Sequence, residues 1–178
     1  MTSDSADDVA ALVAARLRDV PDFPEPGVLF KDITPLLADG AAFAAVVHAL
    51  AEAAPDVDLV AGVEARGFLI AGAIARDLKC GLVPVRKAGK LPPPTIRRAY
   101  QLEYGTAEVE VPVHVLAGKR VLLVDDVLAT GGTLRAAADL IAEAGATVVG
   151  LGVLLELGFL DGRSRIGDVA PLHSLLCV

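Results

Sequence analysis

The sequence has no tryptophan, two tyrosines and five phenylalanines, so its core must be built from Val, Leu, Ile and Ala. Apolar residues still make up 54% of the 178, which excludes disorder for the bulk of the chain and suits one domain, 1–178. Cysteine is scarce. Cys80 and Cys177 lie far apart with no CxxC spacing, so neither a disulfide framework nor a zinc site is indicated, and each reads as a plain buried thiol. Long apolar runs are also missing: Ala146–Leu155 contains two glycines, stops at Glu156 and is too short to cross a bilayer. The N-terminus, Met1–Asp8, is acidic and lacks the basic-then-apolar order of a signal peptide. Positive charge is in deficit, with a net charge of −7, which opposes binding to nucleic acid or an anionic membrane surface. His48, His114 and His173 stand alone and read as structural or surface residues. No GxxxxGK[ST], GxSxG or HExxH occurs, and Gly150-Leu-Gly152 lacks the third glycine of a dinucleotide fingerprint. These bounds fit a cytoplasmic enzyme acting on small molecules.

The apolar pattern supplies the elements. Residues 1–7 read as a loose tail, with Ser5 and Asp8 as a capping pair for a helix carrying Val9, Leu12, Val13, Leu17 and Val20 at helical spacing. Pro21, Pro24 and Pro26 end it and hold Asp22–Thr34 extended. Phe43, Val46, Val47 and Leu50 mark a second helix. Strands are then expected at Leu59–Val63, Leu82–Val85, Val121–Val124 and Val148–Leu155, with an edge strand at Leu172–Val178. Helices are expected at Gly67–Leu78 and about Leu134–Ala144, the latter stopped by Gly145. Alternating strands and helices predict an α/β fold with a mainly parallel twisted sheet flanked by helices. Residues 88–108 break the rhythm: three prolines, Arg97-Arg98 and two tyrosines show no clear period, and such a segment reads as functional.

Three strand ends carry chemistry. The first is Val121-Leu-Leu-Val-Asp125-Asp126-Val-Leu-Ala129-Thr130-Gly131-Gly132-Thr133. Glycines let backbone N–H groups converge on an anion, hydroxyls add donors, and the following helix N-terminus adds its dipole, so the turn suits a phosphate. Acids beside a phosphate would repel it; Asp125 and Asp126 are better matched to neutral sugar hydroxyls next to the phosphate. The second end, Glu64-Ala65-Arg66-Gly67-Phe68, puts a guanidinium at a helix N-terminus. The third, Arg86-Lys87-Ala88-Gly89-Lys90, is a local positive site in an acidic chain. Two anion sites imply a substrate phosphorylated at both ends.

Segment 121–133 resembles the signature of the type I phosphoribosyltransferases. Phe23–Thr34, Glu64–Phe68, and Arg86–Pro92 with Leu102-Glu103-Tyr104-Gly105 narrow the resemblance to those acting on adenine, over roughly residues 20–177. The resemblance implies a phosphoribosyltransferase-like sheet with a small N-terminal hood and a mobile lid over 88–108. It implies that Asp125, Asp126, Ala129, Thr130, Gly131, Gly132 and Thr133 hold ribose 5-phosphate, and that Arg66, Arg86, Lys87 and Lys90 serve the diphosphate. Val28, Phe30 and Lys31 would face adenine, and Glu103 and Arg66 would be catalytic, with Tyr104 on the lid. Mg²⁺ would be carried by the substrate, without protein metal ligands, and the assembly would be a homodimer. The implied reaction joins adenine to 5-phospho-α-D-ribose 1-diphosphate; the alternatives are a 6-oxo purine acceptor or a non-catalytic regulator binding the same sugar. Two departures stand out: Lys31 replaces an arginine common in relatives, and Pro92-Pro-Pro94 stiffens the lid's first hinge.

Overall fold

The computed structural model describes residues 3–52, 54, 56–101 and 106–178. The N-terminal part comprises α1 (Ser3–Ala14), β1 (Arg18–Pro21), β2 (Leu29–Asp32), α2 (Thr34–Ala38) and α3 (Gly40–Glu52). Next come β3 (Leu59–Val63), α4 (Gly67–Leu78), β4 (Gly81–Lys87), β5 (Thr95–Gln101) and β6 (Thr106–Pro112). The chain ends with β7 (Arg120–Leu128), α5 (Gly132–Glu143), β8 (Thr147–Glu156), α6 (Gly162–Ile166) and β9 (Leu172–Cys177).

Seven strands form one sheet in the order β5-β6-β4-β3-β7-β8-β9. The pairs β4/β3, β3/β7, β7/β8 and β8/β9 are parallel, whereas β6 pairs antiparallel with both β4 and β5. A parallel strand buried on both faces sends alternate side chains to two cores. Ala61, Val121, Leu123 and Leu151 meet Leu134, Ala137 and Ile141 of α5 on one face. Val60, Leu122, Val124 and Leu154 meet Val46 and Leu50 of α3 and Ile70 and Ile74 of α4 on the other. From β3 the chain steps outward to β4 and the β5–β6 hairpin, then returns to β7 on β3's other side. The strand order therefore reverses between β3 and β7, and ligands of open α/β sheets bind at the carboxyl ends of such a switch point.

Several expectations need correction. Helix α1 starts at Ser3 and stops at Ala14, so residues 3–7 of the expected tail, Ser5 among them, lie inside it, while Val20 belongs to strand β1. That strand pairs with β2 as a separate two-stranded hood, Arg18 opposite Asp32. The segment read as irregular, 88–108, holds most of the β5–β6 hairpin. Strand β7 runs four residues beyond Val124, so it is longer than expected and carries Asp125 and Asp126 within it. Cys177 is exposed and Cys80 partly so, neither fully buried as expected. No helix among the described residues is long and apolar enough to cross a membrane.

Candidate active site

Three strand ends and the hood converge at the switch point. At the end of β7 the backbone of Ala129–Thr133 wraps a cavity of about 340 Å³, together with Asp125, Leu134 and Leu160. Gly131 takes φ +78° just before α5, a conformation that costs other residues strain. Its Cα also packs against the carbonyl of Gly162 at the start of α6, and a Cβ on either glycine would collide with backbone. The turn is thus clamped by α6 while Ala129–Thr133 line the cavity. The sequence reading missed Gly162; only the contact, across 31 positions, reveals it.

The period of two along β7 sends the paired acids to different neighbours. Asp125 lines the cavity and accepts the Asp126 backbone N–H at 2.9 Å. Burial pushes its carboxyl well above the usual carboxylate range, and the adjacent Asp126 pushes the same way. Asp126, also buried, turns to Arg66: its Oδ2 lies 2.7 Å from the guanidinium Nη2, an ion pair that lacks hydrogen-bond alignment.

Arg66 caps the N-terminus of α4 and ties the hood to the sheet. Its Nη1 donates to the Lys31 carbonyl at 3.2 Å, and its guanidinium stacks 4.9 Å from the Phe30 ring. Phe30 in turn meets Phe23 edge-on at 5.1 Å. Val28 is exposed beside them. The Lys31 ammonium points elsewhere, pairing with Asp19 across the hood at 2.8 Å, so it is the Lys31 backbone that meets Arg66.

At the end of β4, the Arg86 and Lys90 side chains are engaged within the protein. Glu64 gathers them: Arg86 Nε donates at 3.3 Å, Lys90 Nζ at 3.2 Å and the Lys87 backbone N–H at 2.9 Å. Burial raises the Glu64 carboxyl, but the Lys87 N–H and the Lys90 and Arg86 charges outweigh it, leaving it below its ordinary value. The Lys90 backbone is held separately by Glu110 of β6. Glu64 stood in its motif without a role, and Glu110 escaped the sequence reading, although Ala107, Val109 and Val111 alternating with Glu108 and Glu110 was a period-two signal for β6. Arg97 pairs with Glu110 and Arg98 with Glu143, so both are engaged within the protein. Glu103 and Tyr104 lie outside the described residues.

This arrangement can seat a phosphate in a backbone cradle, hydrogen-bond a sugar at the acid pair, and neutralise a second anion with Arg66, Arg86 and Lys90. Known proteins resemble this chain over nearly its whole length. Residues 30–170 match the phosphoribosyl transferase domain. An adenine phosphoribosyltransferase of Kineococcus radiotolerans is 60% identical over 174 residues, covering 95% of this chain and 94% of that protein. The chain belongs to the adenine phosphoribosyltransferase family. The Thermobifida fusca enzyme of that name is 58% identical, over 91% of this chain and 94% of its own. The solved Rhodothermus marinus adenine phosphoribosyltransferase superposes with a TM-score of 0.92 at 43% identity, over 97% of this chain and 99% of its own. That of Saccharomyces cerevisiae, complexed with an imino-altritol bisphosphate and adenine, has a TM-score of 0.88 at 37% identity, covering 95% of this chain and 99% of its own. The sheet is therefore the type I phosphoribosyltransferase fold that the sequence resemblance implied.

Proposed function

We infer that this chain works through the constellation at the β3, β4 and β7 ends, each group matched to one part of a doubly phosphorylated sugar. The reaction transfers the 5-phosphoribosyl group of 5-phospho-α-D-ribose 1-diphosphate to adenine, giving AMP and diphosphate. The observation that carries the assignment of roles is Arg66, which spans the switch point from the hood at Lys31 to Asp126. Ala129–Thr133 would receive the 5-phosphate at the N-terminus of α5. Asp125 and Asp126 would accept the ribose hydroxyls. A yeast relative binding a bisphosphate together with adenine supports this division of the site.

Breaking the bond between C1 and the diphosphate develops negative charge on the leaving group and positive charge on the ribose ring. Arg66, Arg86 and Lys90, with the Lys87 N–H, stabilise the leaving group, most effectively where water is excluded. Arg86, Lys90 and the Lys87 N–H must first exchange Glu64 for the diphosphate. Adenine would lie against Phe30 and the backbone of Val28 and Lys31, and Glu103 would help take the proton that N9 loses. The segment 88–108 would close over the sugar and keep out water, the competing nucleophile.

Magnesium would travel on the diphosphate oxygens with most of its waters and add to their neutralisation. Asp126 Oδ2, ion-paired with Arg66 but without an aligned hydrogen bond, would accept from a water that the metal carries. A C₂ homodimer is supported by Leu69 and Leu82, both exposed on the outer side of α4 and the start of β4. A net charge of −7 and small phosphorylated substrates fit the cytoplasm. The test is purified protein with the sugar diphosphate, Mg²⁺ and each purine in turn. Adenine should give AMP and diphosphate; no AMP, or faster use of guanine or hypoxanthine, would falsify the assignment.

A further inference from the structure

The side chain of Glu110 is fully buried, yet it belongs to none of the groups that would touch substrate. A buried carboxylate is costly unless its lone pairs are met. Here four donors meet it. The backbone N–H groups of Lys90 and Leu91 reach Oε1 at 2.6 and 2.7 Å, while Arg97 Nε and Thr95 Oγ1 reach Oε2 at 3.0 and 3.4 Å. Burial alone raises the Glu110 carboxyl, but the Leu91 and Lys90 N–H groups and the Arg97 charge outweigh it and hold it lowered. In the sheet Glu110 stands opposite Arg86 on β4 and Arg97 on β5. It therefore sits where the cation loop leaves the sheet and the hairpin begins.

The two carboxylates around this loop do different things. Glu64 takes the Arg86 and Lys90 side chains, whose charged ends are partly exposed and can turn to another anion. Glu110 takes the loop's backbone, which must stay in place when those side chains turn. We propose that Glu110 is a positioning residue for diphosphate, fixing the 89–91 backbone so that the Lys90 ammonium can move from Glu64 to the diphosphate without the loop moving.

The proposal rests on the reading of the 86–90 loop as the diphosphate site, and the experiment separates the two. Lys90→Ala sets the scale: the KM for the sugar diphosphate and the inhibition constant of diphosphate should each rise about 10-fold, the loss of one charge-assisted bond. AMP, which has no diphosphate, should bind as before by calorimetry. Glu110→Gln should reproduce that split, and in a Lys90→Ala background it should add less than about twofold, because the two act through one contact. If Lys90→Ala changes neither constant, the loop is not the diphosphate site. If Lys90→Ala weakens diphosphate but Glu110→Gln does not, or if Glu110→Gln weakens AMP equally, the positioning role is wrong. Glu110→Asp keeps the charge beside Arg97 but withdraws it from the two amides, and serves where the Gln variant does not fold. The same split in that variant supports the proposal. Unchanged diphosphate binding, or unfolding of both variants, overturns it and leaves Glu110 a residue of the fold alone.

Discussion

The two anion cradles of this molecule are built on opposite plans. At the end of β7, Ala129–Thr133 offers backbone N–H groups, clamped from behind by the Gly131–Gly162 contact and carrying no cation of its own. At the end of β4 the cradle is made of charges, and those charges are already satisfied by Glu64. The first is ready before the ligand arrives, held in a turn that glycine adopts without strain. The second must give up internal partners, so it gains little from any anion that cannot outbid a carboxylate. A diphosphate with two groups of oxygens can; a single weak anion cannot. This gives the site a reason to hold the sugar by its 5-phosphate first and to engage the diphosphate end by exchange.

The comparison breaks most visibly at its glycines. Gly131 and Gly89 both take positive φ, +78° and +82°, but only Gly131 is packed against backbone; nothing lies within 4 Å of a Cβ on Gly89. Gly131→Ala combines strain with displacement of the turn, and the loss of about 4 kcal/mol predicts roughly a 10³-fold fall in kcat/KM. Gly89→Ala should cost only the strain, about 1–2 kcal/mol, roughly 10-fold. Equal effects at the two positions would show that the cradles do not differ in rigidity.

A smaller effect is expected at the acids between the cradles. Asp126→Asn removes the charge facing Arg66 and should cost about 1.5–3 kcal/mol, roughly 10- to 150-fold in affinity for the sugar diphosphate. Asp125, whose raised carboxyl is readily protonated, is closer in character to Asn and should lose less on the same change. Isothermal titration with both variants measures the order, and a larger loss at Asp125 would reverse the roles given to the pair.

How much of this was legible in the sequence follows the same division. The β7 cradle is contiguous in the chain, and buried parallel strands read as apolar runs, so β3 and α4 appear with the boundaries expected for them. The β4 cradle is not contiguous. Glu64 lies 22 positions from Arg86 and Glu110 lies 20 from Lys90, and no local pattern announces that a carboxylate will cancel a cation cluster. Strand β1 was hidden because Val20 continues the spacing of the helix before it. Hairpin β5–β6 was hidden by three prolines that precede it, which drew attention from the alternation in 106–112. Contacts between distant residues, not local propensity, decided each miss.

Salt sharpens the comparison next. Exposed charges are screened over about 8–10 Å at physiological ionic strength, whereas backbone donors in a closed turn are screened less. Diphosphate inhibition should therefore weaken with added potassium chloride more steeply than AMP binding. Arg86→Ala should raise the diphosphate inhibition constant about 10-fold and flatten that salt dependence. AMP and diphosphate with equal salt slopes would mean that both ends are held by charge.

The smallest effect is in the stability of the unliganded protein, and it has opposite signs at the two cradles. The Asp125 carboxyl is raised by burial and by Asp126, so the folded state binds its proton more tightly than the unfolded chain does. That contribution is fully present below the ordinary aspartate value of about 3.9 and is lost as pH rises through the raised folded value. Glu110 is lowered, so its contribution is present above the ordinary glutamate value of about 4.3 and is lost as pH falls through its folded value. Asp125→Asn, neutral at every pH, should raise the melting temperature at pH 7–8 by about 2–4 °C for each kcal/mol that wild type has lost there. Its advantage should disappear on acidification toward pH 4. Glu110→Gln should behave in reverse, melting below wild type at pH 7 and approaching it as acid protonates the wild-type carboxylate. Scanning calorimetry from pH 4 to 8 on the three proteins reads both slopes. Parallel curves would show that neither carboxyl changes its proton affinity on folding, and the contrast between a neutral cradle and a charged one would then have to rest on kinetics alone.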